Sequence, residues 1–279
     1  MSKQNIDWSN LGFGYIKTDY RYVCRYKDGQ WDEGGLETDA NITLNECACV
    51  FQYCQACFEG MKAYYTKDGH IVCFRPDMNA KRMADSAARL EMPPFPVDKF
   101  VDAVKQVVAA NADFVPPYGT GASLYIRPFM IGTNSVIGVK PATEFEFRIF
   151  CTPVGPYFKG GANFIFVTKD GKLVTPKSDS ILPSVTRRSL LVVAEKYLHM
   201  PVEEREVYFS EVPDFAECGL CGTAAVISPV GLINDHGKEI RIPSGMDEMG
   251  PVLTKLYTTL RGIQQCEIEA PEGWILKIQ

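Results

Sequence analysis

The stretch Met61–Leu90, MKAYYTKDGHIVCFRPDMNAKRMADSAARL, reads as strand, turn, strand and helix in succession. MKAYYT and HIVCF are strand-like and flank Lys67-Asp68-Gly69, a strong hairpin signal. Pro76 and Asp77 then open a helix on which Ala80, Met83, Ala84, Ala87 and Leu90 recur at helical spacing. Outward from there the hairpin device returns, with NFIFVT and KLVTP flanking Lys169-Asp170-Gly171, and the same tripeptide stands at Lys27-Asp28-Gly29. Phe100, Val101, Val104, Val107 and Val108 mark a second helix, and strands are expected at Ala122–Ile131 and Glu144–Val154. Farther on, the pattern predicts a helix over Val185–Leu198 and a strand at Glu206–Phe209. It also predicts a short helix ending at Cys218, a strand at Ala225–Pro229 and a last helix near Met249–Gln264. Frequent hairpins and irregular alternation give an α+β fold rather than a doubly wound parallel sheet. Gly and Pro crowd Val154–Gly161, so the chain divides into an N-terminal small domain, 1–154, a linker, 155–161, and a C-terminal large domain, 162–279.

The 279 residues carry a formal charge of −5 and are 46% hydrophobic, enough apolar material for a sizeable core. The acidic balance, without a basic cluster, argues against nucleic acid or an anionic membrane as the main partner. No apolar run approaches membrane-spanning length, and Met1–Asn10 lacks an apolar signal core, so a cytoplasmic protein is expected. Ten cysteines include two CxxC pairs, Cys54/Cys57 and Cys218/Cys221. Their separation does not suit a zinc ribbon, and no metal site is expected. Neither pair has the helix-N-terminal setting of a redox motif, so reduced, packed thiols are the preferred reading.

Two segments of the second half have anion-binding character. In Ser180–Ser189, SILPSVTRRS, a proline precedes a helix whose first amides, those of Val185 and Thr186, lack intrahelical acceptors at the positive dipole end. Ser184 also suits a plain helix cap. In Cys221–Ala225, CGTAA, small residues let backbone amides approach a ligand and Thr223 adds a hydroxyl; close packing of a turn explains them equally well. In the first half, Arg75 ends a strand just before a helix, where a guanidinium can grip a phosphate or form a surface ion pair. Tyr125 and Arg127 share one face of a strand, a pattern that suits a polar pocket wall, and Tyr53 and Phe58 could add aromatic walls or core.

Taken together, FEGMKAY (58–64), FRP (74–76), VPPYGTG (115–121), LYIRP (124–128), PVGPYFKGG (153–161), SILPSVT (180–186), CGTAAVISP (221–229) and GPVLTKLY (250–257) resemble the branched-chain amino-acid aminotransferases. These are pyridoxal-phosphate (PLP) enzymes of fold type IV, and the likeness runs from about Trp8 to the C-terminus. The resemblance implies reversible amino transfer between leucine, isoleucine or valine and 2-oxoglutarate by a homodimer. It implies that Arg75, the amides of Val185 and Thr186, and the Thr223 hydroxyl hold the PLP phosphate. The amides of Thr223 and Ala224 with the Tyr125 hydroxyl would hold the substrate carboxylate. Tyr53, Phe58 and Tyr125 would form the apolar pocket, partly across the dimer interface, and Arg127 would take the second carboxylate of glutamate.

One departure bears on catalysis. The family carries its Schiff-base lysine in a K-x-G-G-N-Y segment between the linker and the strand that here begins at Asn163. That stretch of roughly 60 residues, about two strand–helix–strand units, is absent. With it go the lysine, the tyrosine at the PLP 3′-oxygen and the glutamate at the pyridine nitrogen, so no catalytic residue is assigned. Lys159-Gly160-Gly161 resembles the missing motif only superficially, because Lys159 already has its place in the family's linker. Three readings follow: an aminotransferase whose sequence here omits a segment, a genuine deletion giving a non-catalytic relative, or a thiol-redox or metal protein built on the CxxC pairs.

Overall fold

The computed structural model describes residues 6–155, 163–245 and 247–279. The chain forms two compact units, one of residues up to Gly155 together with Pro271–Gln279, the other of the residues up to Ala270 that follow. The linker residues 156–162, Lys159 included, lie outside the described residues.

The first unit contains β1 (Arg21–Lys27), β2 (Gln30–Trp31), β3 (Gly35–Glu37), α1 (Cys49–Tyr53), β4 (Ala56–Phe58), β5 (Met61–Tyr65) and β6 (Ile71–Phe74). After these come α2 (Pro76–Arg89), α3 (Val97–Ala110), β7 (Ser123–Gly132) and β8 (Phe145–Val154). The Met61–Phe74 hairpin forms as its turn dictates, with Ala63 opposite Cys73. With the C-terminal strand β16 (Ile275–Lys277), these strands make one antiparallel sheet, ordered β16-β6-β5-β7-β8-β1-β2, with β3 on β1 and β4 on β7. Alternation along β7 and β8 sends Leu124, Ile126, Met130, Phe147 and Ile149 into a core with the apolar faces of α2 and α3. Tyr125, Arg127 and Phe129 therefore occupy the opposite face.

The second unit contains β9 (Asn163–Val167), β10 (Leu173–Pro176), α4 (Val185–Tyr197), β11 (Val202–Arg205), β12 (Glu217–Gly222), β13 (Val226–Pro229), β14 (Leu232–Asp235), β15 (Lys238–Arg241) and α5 (Pro251–Gln264). Its main sheet runs β11-β10-β9-β12-β13, and β14 with β15 form a separate hairpin. β10 and β11 pair in parallel across α4, while the other neighbours in this sheet are antiparallel among the described residues.

Two expected elements differ. The strand lies at Val202–Arg205, not Glu206–Phe209, because pairing with β10 fixes its place; Tyr208 instead caps a short 3₁₀ helix, Phe209–Asp214, with Glu211 reaching back to its amide. Cys218 belongs to β12, not to a helix end. The two glycines that argue against a strand there are overridden by its position between β9 and β13, and a Cβ on Gly219 would meet Leu253 and Ile227 at 3.2 and 3.0 Å. The last strand, β16 (Ile275–Lys277), which the sequence assigns to the large domain, pairs with β6 of the first unit. No described helix is long and apolar enough to cross a membrane.

Candidate active site

In the first unit the polar wall is built on β7. Tyr125 is buried and Arg127 half-buried on the same face, and the Arg127 guanidinium donates to the Tyr125 hydroxyl at 2.9 Å. The guanidinium also lies 4.4 Å from the Phe58 ring centroid and 5.2 Å from that of Tyr125. Its Nε is buried with no partner among the described residues, an orphan donor that an anion in the pocket would satisfy. Phe13 meets the Tyr125 ring edge-on at 5.3 Å, closing a third aromatic side that sequence reasoning missed. Its signal is faint: an aromatic between Gly12 and Gly14 in an irregular segment.

What holds this wall is a buried ion pair beneath Phe58. Glu59 accepts from Arg82 Nε and a terminal guanidinium nitrogen at 2.7 and 2.6 Å, and from Asn79 Nδ2 at 2.8 Å. The Glu59 amide donates to Pro128 O at 2.8 Å, so the Phe58-Glu59-Gly60 turn is fixed to both α2 and β7. A Cβ on Gly60 would fall 2.3 Å from the Tyr125 hydroxyl; only glycine admits the tyrosine here.

Tyr53 does not join this group. It ends α1 half out of solvent, and its hydroxyl donates to the Ile137 carbonyl. Phe51, Tyr53, Ile137 and Val139 are all exposed apolar side chains of this unit. Arg75, also in the first unit, caps α2 from the left-handed region at φ 48° and stacks on Trp274.

The second unit carries the other candidates. Ser184 caps α4, its Oγ accepting from Arg187 N at 3.2 Å, so the capping reading holds. The cap leaves the amides of Val185 and Thr186, two buried residues, with no acceptor among the described residues. A helix of 13 residues thus presents two unspent donors at its positive end. Thr223 and Ala224 form the turn between β12 and β13. There Ile227 N donates to Ala225 O at 2.8 Å across Val226, whose φ of +63° is a γ-turn of the rare hand for a β-branched residue. Such strain persists only where the surroundings fix it, and it directly follows the Thr223-Ala224 turn.

The geometry of the second CxxC pair does not suit a redox motif. All ten cysteines are free. Cys218 and Cys221 are three positions apart on β12, hence on opposite faces, and burial pushes each thiol up to about 12. Among the described residues no cluster of three or more His, Cys, Asp or Glu could hold a metal.

The Amino-transferase class IV model matches residues 159–233. A branched-chain-amino-acid aminotransferase of Haemophilus influenzae is 44% identical over 343 residues, covering 99% of this chain and 100% of the relative. One from Helicobacter pylori is 39% identical over 339 residues, covering 99% and 98%. In solved structures, the branched-chain aminotransferase of Escherichia coli superposes with a TM-score of 0.76 at 21% identity, covering 94% of this chain and 100% of the other. The PLP form from Thermobaculum terrenum gives 0.74 at 22%, covering 94% and 99%. The two relatives, with the class IV match, define a PLP-dependent transaminase of fold type IV. Within that class, this chain belongs to the branched-chain-amino-acid aminotransferases. The first match spans 343 positions against a chain of 279, so at least 64 of them have no counterpart here.

The residues present fit PLP at one end. In the second unit, two acceptorless amides at the start of α4 have the chemistry to take a phosphate; in the first, the Arg75 guanidinium has the charge to take one. For its reactive carbon and ring nitrogen, the family's lysine and glutamate have no equivalent among the described residues.

Proposed function

We propose that this protein transfers the amino group of leucine, isoleucine or valine reversibly to 2-oxoglutarate, as a cytoplasmic homodimer. The observation that carries the substrate reading is the Arg127 guanidinium held between the faces of Phe58 and Tyr125. One pocket must accept both a branched apolar side chain and the second carboxylate of glutamate. Aromatic faces serve the first and an orphaned guanidinium donor serves the second.

Arg75, the Val185 and Thr186 amides and the Thr223 hydroxyl hold the cofactor phosphate by charge and by N–H and O–H donation. The Thr223 and Ala224 amides and the Tyr125 hydroxyl orient the substrate carboxylate, which fixes the Cα–H bond for proton removal. The bound PLP supplies the carbon that takes up the amino group and a ring that draws electrons from Cα. Tyr53, among the exposed Phe51, Ile137 and Val139, faces a second copy of the chain, where it completes the pocket; this patch supports the dimer.

Moving the proton needs an amine base, and the family's lysine belongs to the segment without a counterpart here. We therefore assign turnover to a protein that carries that segment between the linker and β9. The opposite reading, a real deletion leaving a non-catalytic relative, is favoured by the 64 unmatched positions alone.

The intact mass of the protein purified from its source separates these. A mass several kilodaltons above 31.1 kDa is the expected result. A mass of 31.1 kDa removes catalysis and leaves the family fold. In the active protein, Arg127→Ala should weaken glutamate far more than leucine, and equal loss for both would refute the role of Arg127.

A further inference from the structure

We propose that Trp274, in the turn just before the C-terminal strand β16, is the positioning residue for Arg75 and so tunes affinity for the cofactor's phosphate. The inference rests on the reading of Arg75 as a phosphate ligand. Arg75 follows β6 and holds φ 48°, ψ 48°, a left-handed conformation that an arginine adopts only under constraint. The constraint is visible in the backbone: Arg75 N donates to Trp274 O at 2.8 Å, directly beside the β16–β6 pairing of Ile275 with Phe74. Trp274 is itself set by a tight turn, with its amide donating to Pro271 O at 3.1 Å and Gly273 at φ 76°.

The side chains repeat the arrangement. The indole is buried, edge-on to Phe74 at 5.5 Å, and the Arg75 guanidinium carbon lies 4.5 Å over its ring. A stacked guanidinium uses its flat face on the ring and keeps its N–H donors in its own plane. Stacking therefore orients the fork without consuming the donors that grip a phosphate. A long side chain with several rotatable bonds gains most from such pre-orientation.

The test compares pyridoxamine 5′-phosphate with pyridoxamine by calorimetry, because neither needs a lysine to bind. Trp274→Met fills the space without a π-face and should lower affinity for the phosphorylated ligand roughly fivefold, leaving pyridoxamine unchanged. Trp274→Phe should fall between. If Arg75→Ala abolishes the preference for the phosphorylated ligand while Trp274→Met leaves it intact, the role of Trp274 is overturned and that of Arg75 stands. If Arg75→Ala leaves the preference intact, Arg75 is not the phosphate ligand and both fail. Should Trp274→Met not fold, the Trp8→Phe/Trp31→Phe variant isolates the indole. Inorganic phosphate should then shift its emission by neutralising the stacked cation, and the shift should vanish with Arg75→Ala. No shift overturns the proposal.

Discussion

Glu217 provides a direct measure of how the second unit holds its site-bearing strand. It starts β12, is buried, and aims its carboxylate at the N-terminus of α5. Val252 N donates to one oxygen at 3.0 Å and Leu253 N to the other at 2.8 Å, so a side chain from a strand caps a helix 35 residues away. Gly250 makes room: a Cβ there would lie 2.2 Å from the carboxylate carbon. Glu217→Ala strands two helix-start amides, Leu253 being fully buried, and removes an anion from a helix's positive end. Hydrogen bonds to a charged group contribute about 1.5–3 kcal/mol each and the dipole up to about 2 kcal/mol. Sharing among these effects gives an expected loss of roughly 4 kcal/mol. Glu217→Gln keeps one carbonyl acceptor but turns an amide N–H₂ toward the second donor, for a loss of roughly 2 kcal/mol.

Gly250→Ala should destabilise by a comparable amount in the wild-type background, because the new methyl expels the carboxylate. In the Glu217→Ala background it should change little. Urea unfolding followed by circular dichroism reads all four corners of the cycle, with the second unit's transition followed where the two units separate. A Glu217→Ala loss below about 1 kcal/mol, or strict additivity with Gly250→Ala, would refute the capping argument.

Gly60→Ala should push the Tyr125 hydroxyl aside, cost about 1–3 kcal/mol of stability and weaken amino-acid binding roughly tenfold in the active protein. Unchanged binding in calorimetry would show that the hydroxyl is not needed. Native thiol labelling at pH 8 should modify the exposed Cys54 and Cys266 and spare Cys218 and Cys221 until denaturant is added; rapid labelling of the latter pair would contradict their burial. Burial also raises the Cys24, Cys73, Cys218 and Cys221 thiols to about 12 from an ordinary 9.0. A thiol that ionises later in the folded state than in the unfolded one favours folding fully below pH 9. That contribution is lost between pH 9 and about 12, at up to about 1.4 kcal/mol per unit for each thiol. Alkaline urea titrations should show the decline, and Cys218→Ala should make it shallower.

Local signals in the sequence were strong wherever the deciding interaction is local. The Lys67-Asp68-Gly69 and Lys169-Asp170-Gly171 turns form antiparallel hairpins, α2, α4 and α5 fall within two residues of their expected bounds, and α3 contains the expected stripe of Phe100 to Val108. The Tyr125/Arg127 face follows from simple alternation. Misreadings arose where a distant partner decides. Cys218 sits in a strand because β9 and β13 flank it, against its two glycines, and Val202–Arg205 is a strand because β10 lies alongside. The stack of Trp274 on Arg75 joins residues almost 200 apart, and Phe13 reaches Tyr125 from an irregular segment. No periodicity encodes such contacts.

The junction before β9 bears most directly on catalysis. β9 is the first strand past the linker and the middle one of five, so its side chains should be the best satisfied of the sheet. Instead, both polar atoms of the Asn163 side chain are buried without a partner among the described residues. The next residue, Phe164, is 37% exposed and stacks on Phe166. An orphaned buried amide costs on the order of 1–3 kcal/mol, and replacing Asn163 with an apolar residue would remove that penalty. A chain that had adapted to a shortened unit would carry such a replacement and a polar residue in place of Phe164. This one carries neither, and it keeps the acceptorless amides of α4 and the strained turn at Val226, features that gain nothing for a protein that binds no cofactor. The unsatisfied groups are ones that the proposed lysine-bearing segment would cover, and they give the intact-mass measurement its expected sign.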